Sequence, residues 1–146
     1  MFTPVHKAWM IAAKTSPVCF YSFLYAISNH YDFVHHVHEP DRGMALMRLS
    51  YKTKTIALVQ EMLKNLDKKV PDELLAAVLI LSFQGPPGHA GEQSRFQSPL
   101  APVHCLDLLG SLAFQPEHAK GLVALVQLKG GLHNIQMRGL ADVIFW

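Results

Sequence analysis

Ten consecutive residues, Leu74 to Phe83 (Leu-Leu-Ala-Ala-Val-Leu-Ile-Leu-Ser-Phe), constrain the fold more than any other stretch. A helix built from them is apolar on almost every side, so it belongs in the middle of a core with other helices around it. The run is well short of the ~20 apolar residues that span a bilayer. Val70-Pro71-Asp72-Glu73 precedes it and reads as a helix start, with two acids where the helix dipole favours negative charge. Val, Ile and Phe near its end would suit a buried strand, but Leu-Leu-Ala-Ala behind a Pro-Asp-Glu start favours helix. Asp72 and Glu73 are then first-turn charges and not an acid/base pair.

Such a core needs helices to wrap it, and the chain supplies candidates on both sides. Pro116 to Leu132 carries both of its ends in the sequence. Pro116 suits the first position and Glu117 the first turn, Ala119, Leu122, Val123 and Val126 share one side, and Gly130-Gly131 closes the helix in a left-handed conformation. Lys129 is expected to complement the negative end of that helix, and Gly121 to allow close approach of a neighbouring helix. Upstream, Met1 to Lys14 reads as a short helix. Ser16 caps and Pro17 opens a second, running to about Asn29, with Phe20, Phe23, Leu24 and Ile27 at helical spacing and expected to be buried. Asp41 to Lys68 is the longest candidate. Leu49, Ile56 and Leu63 repeat every seven residues along it, with Leu58 and Met62 roughly opposite, which predicts a helix packed on two sides and central to the bundle. Val103 to Ala113 is a further short helix, and Leu132 to Trp146 is helical in its second half with a break at Gly139. His30 to Pro40 is a connection, and residues 85–102, rich in Gly, Pro and Ser, form a flexible surface loop.

The expected fold is therefore all-α, an irregular bundle of about five to seven helices in one domain spanning residues 1–146. With 50% hydrophobic and 16% charged residues and a mean hydropathy of +0.16, the chain is a packed protein and not a disordered one. A net charge of +2 is too weak to argue for nucleic acid. Seven of the thirteen Lys/Arg residues do fall between Arg42 and Lys69, against Glu61 and Asp67 alone. Arg48 and Lys52 make a small basic patch there, read as a solvated edge. Cys19 and Cys105 are too few for a disulfide framework and are expected as buried free thiols in a reducing compartment. No signal peptide is visible at the Met1 end, which makes a cytoplasmic protein the default.

No catalytic, cofactor or metal residues emerge from the sequence. His35, His36 and His38, with Glu39 and Asp41 beside them, lack the spacing of a metal site and read as a solvated loop cluster. Gly85, Gly88 and Gly91 are interrupted by prolines and followed by no Lys-Ser or Lys-Thr, so they form no phosphate loop. Ser50, Ser82, Ser94 and Ser111 stand in no nucleophile elbow. His104 and Cys105 are adjacent on a helix and point apart, and His118 is an ordinary residue near a helix start. The residues point away from an enzyme, and the chain is expected to need no cofactor.

Three segments in order resemble the regulatory domain of fungal-specific zinc-cluster transcription factors. They are Leu49 to Phe83, with its heptad helix around Tyr51 to Leu63; His118-Ala-Lys-Gly-Leu-Val-Ala-Leu-Val-Gln-Leu-Lys-Gly-Gly-Leu132; and Gly139-Leu-Ala-Asp-Val-Ile-Phe-Trp146. Lys14-Thr-Ser-Pro-Val18 is more loosely similar to the approach to that family's first paired helices. Two distant cysteines cannot build the family's six-cysteine DNA-binding cluster, and the family domain continues past the point where Trp146 stands. The resemblance therefore implies the first part of an all-helical regulatory domain, located in the nucleus. It would act on a full-length transcription factor or coregulator through protein contacts, with no direct DNA reading and no membrane. Two other readings stand beside it: a small-molecule-binding helical module with Phe20, Phe23 and Phe83 lining a pocket, and a truncated fragment with no independent role.

Overall fold

A computed structural model describes residues 3–34, 41–67, 69–84 and 113–145. The loop at 85–102, the helix expected over residues 103–112, the His35/His36/His38 cluster and the His104–Cys105 pair lie outside them. Within them the fold is all-α. Six helices are present: α1 (Pro4–Thr15), α2 (Pro17–Val34), α3 (Arg42–Lys64), α4 (Asp72–Ser82), α5 (Pro116–Leu128) and α6 (Leu140–Phe145). A single turn of 3-10 helix, Leu132–Asn134, separates the last two.

The apolar run forms α4, and α4 is the centre of the molecule. Leu74, Leu75, Ala76 and Ala77 have no exposed surface at all, and α2, α3, α5 and α6 all pack against the helix. Each such leucine is worth roughly 1.5–3 kcal/mol of burial. The helix ends in strand geometry. Phe83–Gln84 (β1) pairs antiparallel with Ala113–Phe114 (β2), and the Gln115 N–H donates to Ser82 O at 2.8 Å. Ala113, expected at the end of a helix, thus lies in a strand. The two-residue ladder delivers the chain to α5, which returns along α4 and buries Leu122 and Leu125 against it.

Two expectations about the wrapping helices are corrected. The first concerns α2, which runs to Val34 and buries Val18, Cys19, Ser22 and Tyr25, while Phe23 is half-buried at the edge of the core. Cys19 and Ser22 are fully buried, whereas Phe20 and Ile27 are exposed. The hydroxyls of Ser22 and Ser28 donate to Cys19 O and Tyr25 O at 3.0 and 2.7 Å. Satisfied in this way, the small polar residues can enter the interior, and their low bulk lets α2 come close to its neighbours.

The second concerns α3, which lies at the edge of the bundle and packs chiefly on α2. Its inward residues are Thr55 and Val59, with Tyr51, Ile56, Leu58 and Met62 partly buried around them. Leu49 and Leu63, two members of its heptad row, are exposed. Lys54 meets Tyr21 and Lys52 meets Tyr25, a reversed order that makes α2 and α3 antiparallel neighbours.

α1 and the Pro17–Tyr31 part of α2 meet at 117° across Ser16, which folds α1 back over the molecule. Trp9 packs on Phe23 with ring centroids 5.5 Å apart, and its indole N–H donates to Arg138 O at 3.1 Å. Among the described residues, no single helix is long and apolar enough to cross a bilayer.

Candidate functional site

Two features stand out for function: a polar junction at the start of α4, beside a cleft, and the solvent-facing side of α3. At the junction, Pro71 sets extended backbone before Asp72 but offers no capping side chain. Asp72 turns its carboxylate away from its own helix. One oxygen accepts the N–H groups of Gln136 and Met137, both at 2.7 Å, and the other lies 2.8 Å from Lys129 Nζ. The Lys129 ammonium also donates to Val70 O. Because the Asp72–Lys129 contact is not aligned as a hydrogen bond, it acts as an ion pair, with side-chain exposures of 12% and 14%.

Lys129 arrives there because α5 ends in a Schellman turn. The Gly131 N–H donates to Val126 O and the Gly130 N–H to Gln127 O, with φ of +106° and +90° at the two glycines. Asn134 Nδ2 donates to Lys129 O at 3.0 Å and steadies the turn. Lys129 therefore ties the end of α5 to the start of α4 and does not serve its own helix end, as the sequence led us to expect. A cleft of about 1030 Å³ opens beside this junction, between α1, residues 69–73 and residues 134–138. The Asp72 carboxylate is committed to three partners, through which it ties the start of α4 to Lys129 and to residues 136–137.

Close approach of a neighbour, expected at Gly121, occurs instead at Gly139. Gly121 faces open space, whereas a methyl group at Gly139 would lie 2.8 Å from Val5 Cγ1. Gly139, at φ +81°, makes the sharp turn into α6 that the sequence marks as a break.

The other candidate residues are dispersed. Among the described residues, no group of three or more His, Cys, Asp and Glu is placed to hold a metal ion. Asp41 accepts the Gly43 N–H at 3.1 Å and caps α3. Cys19 is a buried free thiol whose Sγ faces Glu73 O at 3.8 Å. Burial pushes that thiol up to about 11, with a hydrogen bond to Ser16 opposing the shift and the charge of Glu73 adding to it. Ser82 is buried with its hydroxyl donated to Val78 O at 2.9 Å. Phe20, Phe23 and Phe83 do not come together around a cavity: Phe20 is exposed, Phe23 packs on Trp9, and Phe83 joins the edge of the core. None of the three lines the cleft beside Asp72 or a second cleft of about 940 Å³ between the start of α2 and the end of α3.

The outer side of α3 is the more unusual surface. Leu46, Leu49 and Leu63 are 57%, 58% and 44% exposed, with Thr53 and Gln60 also open to solvent and Ile56 half-buried between them. Single exposed leucines are ordinary, whereas a row of them along one helix is not. Lys54 Nζ sits 4.8 Å above the Tyr21 ring and donates to its hydroxyl at 3.3 Å, while Lys52 Nζ lies 5.9 Å from the Tyr25 ring centre. These contacts tie α3 to α2 and hold Lys52 at one border of the row. The repeat is visible in the sequence; the side of the helix it occupies is not.

Comparison with protein-family models, with curated proteins and with solved structures found no match.

Proposed function

We propose that this chain is a transcription-regulator-like protein that works through contacts with other proteins, without reading DNA bases and without catalysing a reaction. The observation that carries this reading is the apolar row on the outside of α3, which the protein's own core leaves exposed. Surfaces of that kind mark sites of association more often than sites of chemistry. The transcriptional and nuclear setting comes from the resemblance of the Leu49–Phe83, His118–Leu132 and Gly139–Trp146 segments to fungal zinc-cluster regulators. In this role the chain engages a full-length factor or a coregulator and alters its activity.

The test places a photo-crosslinking amino acid at Thr53, an exposed position on the row, and illuminates fungal cells expressing the full chain. The expected product joins the chain to a zinc-cluster factor or to a coregulator of one, identified by mass spectrometry. Purified chain mixed with a random DNA library is expected to enrich no sequence. Recovery of the chain uncrosslinked to any regulator, or selection of a defined DNA site by the chain alone, would overturn the reading.

A further inference from the structure

We propose that the outer row of α3 is the docking site for an acidic amphipathic helix of a partner protein; the inference rests on the protein-contact reading above and names the partner's chemistry. The row is Leu46, Leu49, Thr53, Ile56, Gln60 and Leu63, with steps of three, four, three, four and three residues. Those steps are the a/d alternation of a coiled-coil seam, with Leu49, Ile56 and Leu63 at one of the two positions. A 3.5-residue repeat drifts only ~20° per heptad around a straight helix, so the six positions stay on one side of α3 for about 27 Å. The core is built from a different side, through Thr55 and Val59; of the row, Ile56 packs partly against it while Leu49, Thr53, Gln60 and Leu63 stay exposed, so the bundle accounts for Ile56 and not for the repeat. Thr53 and Gln60 place polar groups at two seam positions, which in paired helices set register at some cost in affinity.

The charges decide what occupies the seam. α3 carries Arg42, Arg48, Lys52, Lys54 and Lys64 against Glu61 alone. Lys52 borders the row on one flank and Lys64 on the other, and Lys52 lies 5.9 Å from the Tyr25 ring centre. A second copy of α3 would carry the same excess of positive charge, five basic residues against one acid, so two copies of this helix repel each other. A helix with leucines along its seam and Asp or Glu on its flanks meets both the apolar row and the charges. The expected occupant is therefore an acidic helix of about five turns.

The experiment uses the purified full chain and two fluorescent synthetic helical peptides, each with a leucine a/d seam, one flanked by glutamates and the other by lysines. Anisotropy titrations are expected to show the glutamate peptide binding at least about tenfold more tightly than its lysine twin, with affinity falling between about 50 mM and about 500 mM salt. Leu49→Ser with Leu63→Ser, at exposed positions, is expected to weaken binding about tenfold or more while leaving the melting temperature near that of the unaltered chain. Gln60→Glu with Lys64→Glu, also exposed, is expected to shift preference toward the lysine peptide, a gain that loss of folding cannot imitate. Equal binding of the two peptides, an unchanged affinity in the leucine variant, or a dimer of the chain that the leucine variant disperses would each overturn the proposal. If the leucine variant still crosslinks to a regulator in cells through another surface, the docking site falls and the protein-contact reading survives.

Discussion

A methyl group at Gly139 would sit 2.8 Å from Val5 Cγ1 in backbone at φ +81°, while one at Gly121 would meet nothing. Gly139→Ala is expected to destabilise the protein by about 1–3 kcal/mol through backbone strain and the displaced contact with α1. Gly121→Ala, in a helix interior, is expected to stabilise it by about 0.5–1 kcal/mol. Urea unfolding of the two variants checks both signs. Cys19 offers a second test of local environment. Its thiol ionises at about 11 when folded against a reference value of 9.0, so between those values the unfolded chain releases its proton first. The contribution of Cys19 to stability is therefore level below pH 9.0 and declines as pH rises from 9.0 toward 11. In a Cys105→Ser background, the remaining thiol is expected to resist a disulfide reagent at neutral pH and to react at the rate of unfolding, followed by absorbance.

Between elements, the Asp72–Lys129 pair joins α4 to α5 across 57 positions of sequence. Removing one partner of this partly buried pair leaves the other charge short of its counter-ion, at a cost of roughly 1–3 kcal/mol. Asp72→Ala also orphans the N–H groups of Gln136 and Met137, so it is expected to cost more than Lys129→Met. Asp72→Ala and Lys129→Met combined should cost less than the sum of the singles, and a double-mutant cycle by chemical denaturation measures the difference. The elements themselves were largely legible in the sequence: Pro17, Pro116 and Gly130-Gly131 mark their ends by local backbone rules, and the Leu74–Phe83 run marks the centre by its composition. Which side of each helix turns inward was less so. On α2 the aromatic row looked like the core because hydrophobicity scales reward Phe and Ile, yet close packing selected Cys19 and Ser22. On α3 the heptad row looked internal for the same reason, and Thr55 took the inward place with its hydroxyl donated to Tyr51 O at 2.8 Å. The Asp72–Lys129 junction left no trace at all, since two residues 57 apart are brought together only by the return of α5 along α4.

At the level of the whole molecule, the packing is graded outward from α4. Its amides, shielded by four other helices, are expected to exchange with solvent only on global unfolding. The amides of α1, which lies over the bundle with much of its length exposed, should exchange through smaller openings. Native-state hydrogen exchange distinguishes this order from uniform protection. The contact that seats α1 has a further consequence, in time. Trp9 donates its indole proton to a carbonyl 129 residues further along the chain. At ribosomal rates of about 5–20 residues per second, α1 spends on the order of ten seconds without its partner. During that interval Trp9 and the apolar side of α1 remain available to chaperones, and α1 takes its final place only after residues 138–139 have left the exit tunnel.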